Sequence, residues 1–280
     1  MSVTVHHEIT AGPAGAPVLV LSNSLGSTLH MWDRNLDLLA QHFTVVRYDT
    51  RGHGRSPVVP GPASIDDLVD DLIALLDTLA ELGYDTARVH LAGLSLGGMT
   101  VLRAAAREPQ RVLGLVGLCT SARLTPASAW LERAETVRSK GSGAIAEAVV
   151  DRWYSPGFLA AETERVRAAR EVVAATPAEG YAACCEAIAA LDLNPDLPRI
   201  TAPTLVISGA DDPATPPEHQ RNIADHVADG RLLIVDRAAH LANDEQPDQV
   251  GAAMVAHLSA VGGGTGTTRD DNSNTDDEGL

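Results

Sequence analysis

"VHLAGLSLGGMT" (Val89–Thr100) is the stretch that decides the fold. An apolar run ends at Gly93, and a helical pattern resumes after Ser95. The five residues Gly93-Leu94-Ser95-Leu96-Gly97 match G-x-S-x-G, with a strand before and a helix after, the context that the motif requires. A turn this sharp strains the serine. Side chains two residues before and two after it would clash, hence Gly93 and Gly97. The strain lifts the hydroxyl above the sheet, over a helix N-terminus whose N–H groups and positive dipole end suit a developing oxyanion. A flexible Gly/Ser turn without chemistry could carry the same letters, but the flanking strand and helix argue against it.

Working outward, short and nearly continuous apolar runs recur: Val18–Ser22, Phe43–Asp49, Arg88–Gly93, Val112–Thr120, Thr204–Gly209 and Arg231–Asp236. Strands of a parallel sheet read this way when helices cover both faces. Val3–Ile9 alternates instead and reads as an antiparallel edge strand. Between the runs lie helical patterns. From Ser64 to Leu82, Ser64 and Asp67 fit a capping box, Leu68, Leu72, Leu75, Leu76 and Leu79 share a face, and Gly83 suits the C′ position. A second helix follows Ser95, and the last begins near Gln246. The order predicts an α/β fold with a mostly parallel, doubly wound sheet.

One segment breaks the rhythm. Residues 121–198 carry no strand signal, only helical stretches around Pro126–Arg138, Ser142–Arg152, Ala161–Ala174 and Pro177–Leu191. It is read as a helical cap inserted into a core made of residues 1–120 and 199–260. Residues 261–280, "VGGGTGTTRDDNSNTDDEGL", are acidic and almost free of apolar side chains, and are expected to be disordered.

The 280 residues suffice for one large domain. A formal net charge of −16 argues against nucleic acid or an anionic membrane as a main partner, and an anionic substrate would need a local basic pocket. Three cysteines, two of them adjacent, suit a reducing compartment. The N-terminus lacks the apolar core of a secretory signal, and no apolar run reaches the roughly 18 residues of a membrane span. Cys184 and Cys185 have no nearby base and read as packing residues.

A serine hydroxyl needs a base. His240 lies between the last strand and the last helix, in a loop at the carboxyl end of a parallel strand, the edge that Ser95 occupies. In isolation it would read as a solvated loop histidine. Asp212 fits G-x-x-D-x-x-T-P (Gly209–Pro216) after the preceding strand, with Asp211 as a rival that could shape the turn instead. The order Ser95, Asp212, His240 is the one this fold uses. His53, in "YDTRGHGRS" (Tyr48–Ser56), precedes the serine and sits in a glycine-braced loop, against a role as base. Oxyanion donors are expected from the backbone N–H groups of Leu96 and Leu25. Asn23-Ser24 stands where related enzymes often carry His-Gly.

These residues resemble the α/β-hydrolase superfamily over roughly Val3 to Ala260. Within it, "LSNSLGSTLHMWD", "RYDTRGHGRSP", "HLAGLSLGGMT", "WLERAETVR" and "VVDRWYSPGF" resemble the 3-oxoadipate enol-lactonases. The resemblance implies cytoplasmic β-ketoadipate pathway chemistry: opening of a small lactone bearing a carboxylate, with no metal or organic cofactor. For the substrate carboxylate, Arg133 is the first candidate, three residues after Trp130 on the same helix face. Arg138, Arg123 and Arg152 are rivals, and each could be a solvated charge. Trp130, Trp153 and Tyr154 could line the pocket or pack the cap. A broader carboxylesterase or perhydrolase keeps the same triad. A hydrolase-fold ligand receptor remains a different class, and an interaction module working through the tail lacks hydrophobic anchors. The oligomeric state is open.

Overall fold

The computed structural model describes residues 1–262. In chain order the elements are β1 (His7–Thr10), β2 (Val18–Ser22), α1 (Asp33–Leu39), β3 (Thr44–Tyr48), α2 (Ile65–Glu81), β4 (Val89–Leu94), α3 (Leu96–Arg107) and β5 (Val112–Leu118). Then follow α4 (Ala127–Lys140), α5 (Ala146–Val150), α6 (Pro156–Ala161), α7 (Thr163–Ala175) and α8 (Ala178–Ala190). The chain closes with β6 (Thr204–Gly209), α9 (Pro217–His226), β7 (Gly230–Val235), α10 (Ala242–Glu245) and α11 (Pro247–Gly262).

The strands form one 7-stranded sheet in the order β1-β3-β2-β4-β5-β6-β7. Only β1 runs antiparallel, against β3, and every other pair is parallel. β2, β3, β4 and β6 are buried along their whole length, the physical origin of their unbroken apolar sequences. Their register matters for the site. Ser22 lies beside Gly93, Gly93 beside Gly117, and Leu118 beside Ile207. The loops leaving β2, β4, β5 and β6 therefore emerge at one carboxyl edge.

α2 starts as its sequence predicts. The Ser64 hydroxyl accepts from the Asp67 N–H, and the Asp67 carboxylate accepts from the Ser64 N–H. Its outer acids hold α3: Arg103 bonds Asp66 at 2.8 Å and Arg107 bonds Asp70 at 2.8 Å. Between β5 and β6 every regular element is a helix, and α4 packs along α8. At one place the cap meets the core without any side chain between the two backbones. Gly52, at φ 72°, lies against Gly180 of α8 so closely that a Cβ on either would overlap the other.

α1, α6 and α9 escape the sequence pattern. α1 and α6 span 7 and 6 residues, too short to show a period. α9 buries only Gln220 and Ile223, so it presents no apolar stripe. The last helix runs to Gly262, two residues into the expected tail. The rest of the tail lies outside the described residues.

Candidate active site

Ser95 sits between β4 and α3 at φ 57°, ψ −115°, a conformation that L-residues rarely adopt. Its backbone is held on both sides: its N–H donates to Leu118 O (2.9 Å), and its carbonyl accepts from Met99 N–H (2.9 Å) and the Thr120 hydroxyl (2.7 Å). A Cβ on Gly93 would overlap the Gly97 carbonyl, and one on Gly97 would overlap the Ser22 carbonyl. The two glycines are therefore required by the turn itself.

Leu96, directly after Ser95, opens α3, so its N–H has no partner within the helix. Leu25 lines the same cavity as Ser95. Its loop is rigid. The Asn23 amide donates to Tyr48 O (2.6 Å) and accepts from Trp32 Nε1 (3.0 Å). The Ser24 N–H donates to Met31 Sδ (3.3 Å), and Gly26 takes φ 80°. Asn23 thus stitches the loop to the core, which accounts for an amide at this place.

Asp212, on the loop after β6, accepts from His240 Nδ1–H at 2.8 Å. That bond puts the ring proton on Nδ1 and leaves Nε2 as the basic nitrogen. Asp212 also takes the Ala214 N–H (2.8 Å), the Thr215 N–H (3.1 Å) and the Thr215 hydroxyl (2.7 Å). Burial alone would push its carboxyl up. The charge and N–H of His240, with the Thr215 donors, outweigh that and hold it down to about 2. The role of Thr215 was missed from sequence, although an aspartate followed by a threonine three residues on is a side-chain turn signal. Asp211 is exposed and turns away into a backbone bond with Ala238.

Ser95 and His240 line one cavity. No hydrogen bond of ordinary length joins their side chains in this state, and such bonds commonly tighten only around substrate. Trp130, Arg133 and Trp153 line the same cavity, together with Arg152 and Tyr181. The Arg133 guanidinium lies over the Trp130 ring, 4.6 Å from its centroid. Among the described residues, neither Arg133 nor Arg152 has a carboxylate within ion-pair distance. Burial, and then the charge of Arg133, push the pKa of Arg152 down.

The other rivals stand elsewhere. Arg138 is bound by Glu179 (2.9 Å) and Glu186, and Arg123 pairs with Asp192 (3.3 Å). His53 is fully buried, its Nδ1 against Arg51 O (3.1 Å), and does not line the cavity. Arg51 is locked by Asp71 at 2.6 Å and Asp49 caps the turn through Leu29 N–H and Arg55 N–H, so this loop is structural. Cys184 and Cys185 are buried on α8 and burial pushes both thiols up to about 12, so neither is a nucleophile. Tyr181 gave no sequence signal because only the packing of α8 turns it toward the cavity.

A strained serine, a buried Asp–His pair and two glycine-set loops on one sheet edge define a hydrolase of the α/β class. The sequence profile of the alpha/beta hydrolase fold matches residues 17–247. The 3-oxoadipate enol-lactonase 2 of Acinetobacter baylyi is 39% identical over 247 residues, which cover 88% of this chain and 90% of that protein. The solved enol-lactonase of Burkholderia xenovorans is 39% identical with a TM-score of 0.87, covering 91% of this chain and 96% of that one. A thermophilic esterase of Thermogutta terrifontis, solved with malate bound, is 31% identical with a TM-score of 0.85, covering 92% of this chain and 93% of that one. The chain belongs to the α/β-hydrolase family and, within it, to the enol-lactonases, which makes it a lactone or ester hydrolase.

Proposed function

We propose that this chain hydrolyses 3-oxoadipate enol-lactone to 3-oxoadipate through an acyl-enzyme on Ser95, in the cytoplasmic β-ketoadipate pathway. His240 Nε2 takes the proton as Ser95 Oγ attacks the ring carbonyl, and the N–H groups of Leu25 and Leu96 receive the oxyanion. The ring C–O bond breaks with an enolate as leaving group, which takes the proton held on His240 and becomes the ketone, leaving His240 neutral again. Water then gives its proton to His240 and attacks the acyl carbon, and the Ser95 ester bond breaks as His240 returns that proton to Ser95 Oγ. Asp212 holds the imidazole tautomer and balances the imidazolium.

The observation that carries the reading is the pair Arg133 and Arg152, without counter-charge in the cavity that holds Ser95 and His240. A chain with a net charge of −16 supplies partners to most of its arginines. Two left free beside a nucleophile suit a substrate that brings its own carboxylate. Trp130 and Trp153 supply the apolar walls for a small ring.

The test is a lactone-opening assay beside a small neutral aryl ester. Ser95→Ala should lose at least about 10⁴-fold in kcat on both. Arg133→Ala should raise KM for the lactone by about 10-fold to 100-fold and leave the aryl ester within about threefold. Equal losses on the two substrates would reject the carboxylate reading. A second reading, a carboxylesterase of broader specificity, is favoured by the likeness to the Thermogutta esterase. It requires the aryl ester to be turned over with a kcat/KM equal to or above that for the lactone.

A further inference from the structure

The residues on either side of His240 are both tied down, and both ties lead to the cap. After it, the Leu241 N–H donates to the Trp153 carbonyl at 2.8 Å. Before it, the Ala239 N–H donates to Glu245 Oε1 at 2.6 Å. The same carboxylate accepts the Ser155 hydroxyl at 2.6 Å and the Ser155 N–H at 3.2 Å. Its neighbour Asp244 accepts the Tyr154 hydroxyl at 2.8 Å and Arg165 at 3.0 Å. Three consecutive cap residues, Trp153 to Ser155, are thus each bonded to residues 239–245. Trp153 also lines the cavity.

A carboxylate only 8% exposed is expensive to place unless donors surround it. Here the donors come from two separate bodies, the histidine loop and the cap. On the core side that loop is held by the Asp211 N–H on Ala238 O (2.9 Å), by His240 on Asp212 (2.8 Å) and by the Asn243 amide on Met31 O (2.8 Å); on the cap side its ties are those through Trp153, Tyr154, Ser155 and Arg165. It follows a turn with Arg237 at φ 55°, and α10 behind it is 4 residues long. A general base must sit within a fraction of an ångström of its target, and a misplacement of about 1 Å can lower the rate about 100-fold.

We propose that Glu245 is a positioning residue for His240: it fastens the histidine loop and the Trp153–Ser155 turn of the cap to each other, so that the base and the cavity wall form one body. The inference rests on His240 being the base. It makes Glu245 act through Ala239, without touching substrate.

The experiment compares Glu245→Gln, Glu245→Ala and Ser155→Ala with Ser95→Ala on both substrates, and follows the downfield proton resonance of the His240–Asp212 hydrogen bond. Glu245→Gln keeps the shape and one acceptor but replaces the other oxygen with an NH₂, and should lower kcat about 10-fold on both substrates. Glu245→Ala should lower it about 100-fold and broaden the downfield signal, with KM for the aryl ester changed less than about threefold. Ser155→Ala removes the hydroxyl donor on the cap side and keeps the Ser155 N–H on Glu245. It should raise KM for the lactone several-fold, with a kcat loss under about threefold and the signal retained. If both Glu245 variants kept kcat within about twofold of wild type with an intact signal, whatever their melting temperature, the proposal would be overturned. The isosteric Gln variant carries the test if the Ala variant does not fold. Full activity in Ser95→Ala would instead remove the triad reading beneath it, an outcome that the Glu245 variants cannot mimic.

Discussion

At the sheet edge, backbone places the reacting side chains; in the cap, other side chains do. Ser95 is held by a turn that two missing Cβ atoms permit, and Asp212 and His240 by loops leaving adjacent parallel strands. Arg133 sits in the middle of α4 and Arg152 in the turn after α5, neither position marked by any backbone feature. What distinguishes them from Arg138 and Arg123 is only which carboxylates happen to lie within reach. On the proposed function the edge supplies the reaction and the cap the choice of substrate, with Glu245 as the link between them.

The largest expected effect lies at the edge. Asp212→Asn should leave the fold intact by circular dichroism and lower kcat by about 10³-fold to 10⁴-fold, because the amide no longer holds the Nδ1–H tautomer. A loss below tenfold would mean that the tautomer is fixed elsewhere, and the contrast with the cap would blur. Stability should show the same asymmetry. Leu91, 1% exposed in the middle of β4, should cost about 2–5 kcal/mol when cut to Ala, measured by urea unfolding. Leu131, 50% exposed on α4, should stay within about 0.5 kcal/mol. Similar values for the two would show that the cap carries a core of its own.

Acid sensitivity should also belong to the sheet. His90 on β4 is fully buried, both ring nitrogens lack partners, and burial followed by the charge of His257 lowers its pKa to about 4. The unfolded chain takes up this proton near pH 6.5 and the folded chain only near 4. Unfolding is thus coupled to proton uptake between those values, and stability falls as the pH drops through that window, by on the order of 3 kcal/mol when complete. His90→Leu should flatten this limb of the stability–pH curve. An unchanged limb would assign the acid loss to the carboxylates.

The edge was legible in the sequence for the reason that makes it rigid. Gly93 and Gly97 are demanded by local sterics, the capping box of α2 by four orphan N–H groups, and the triad order by strand sequence; each leaves a mark within a few residues. The cap was not. Arg133 and Arg152 look like Arg138 until their surroundings are known, and Tyr181 reads as one more residue of an alanine-rich helix. Glu245 is 5 residues beyond His240 and reads as a solvated helix acid, yet it is buried against Ser155, 90 residues away along the chain. Such pairings are decided by tertiary packing and carry no local period.

The contact of Gly52 with Gly180 has a mechanical meaning. Two backbones touching without side chains set the closest approach of α8 to the loop after β3. Any side chain at either position would act as a wedge, tilting α8 and with it Tyr181 in the cavity wall. The place of one wall of the cavity is therefore set from a seam that does not itself line it.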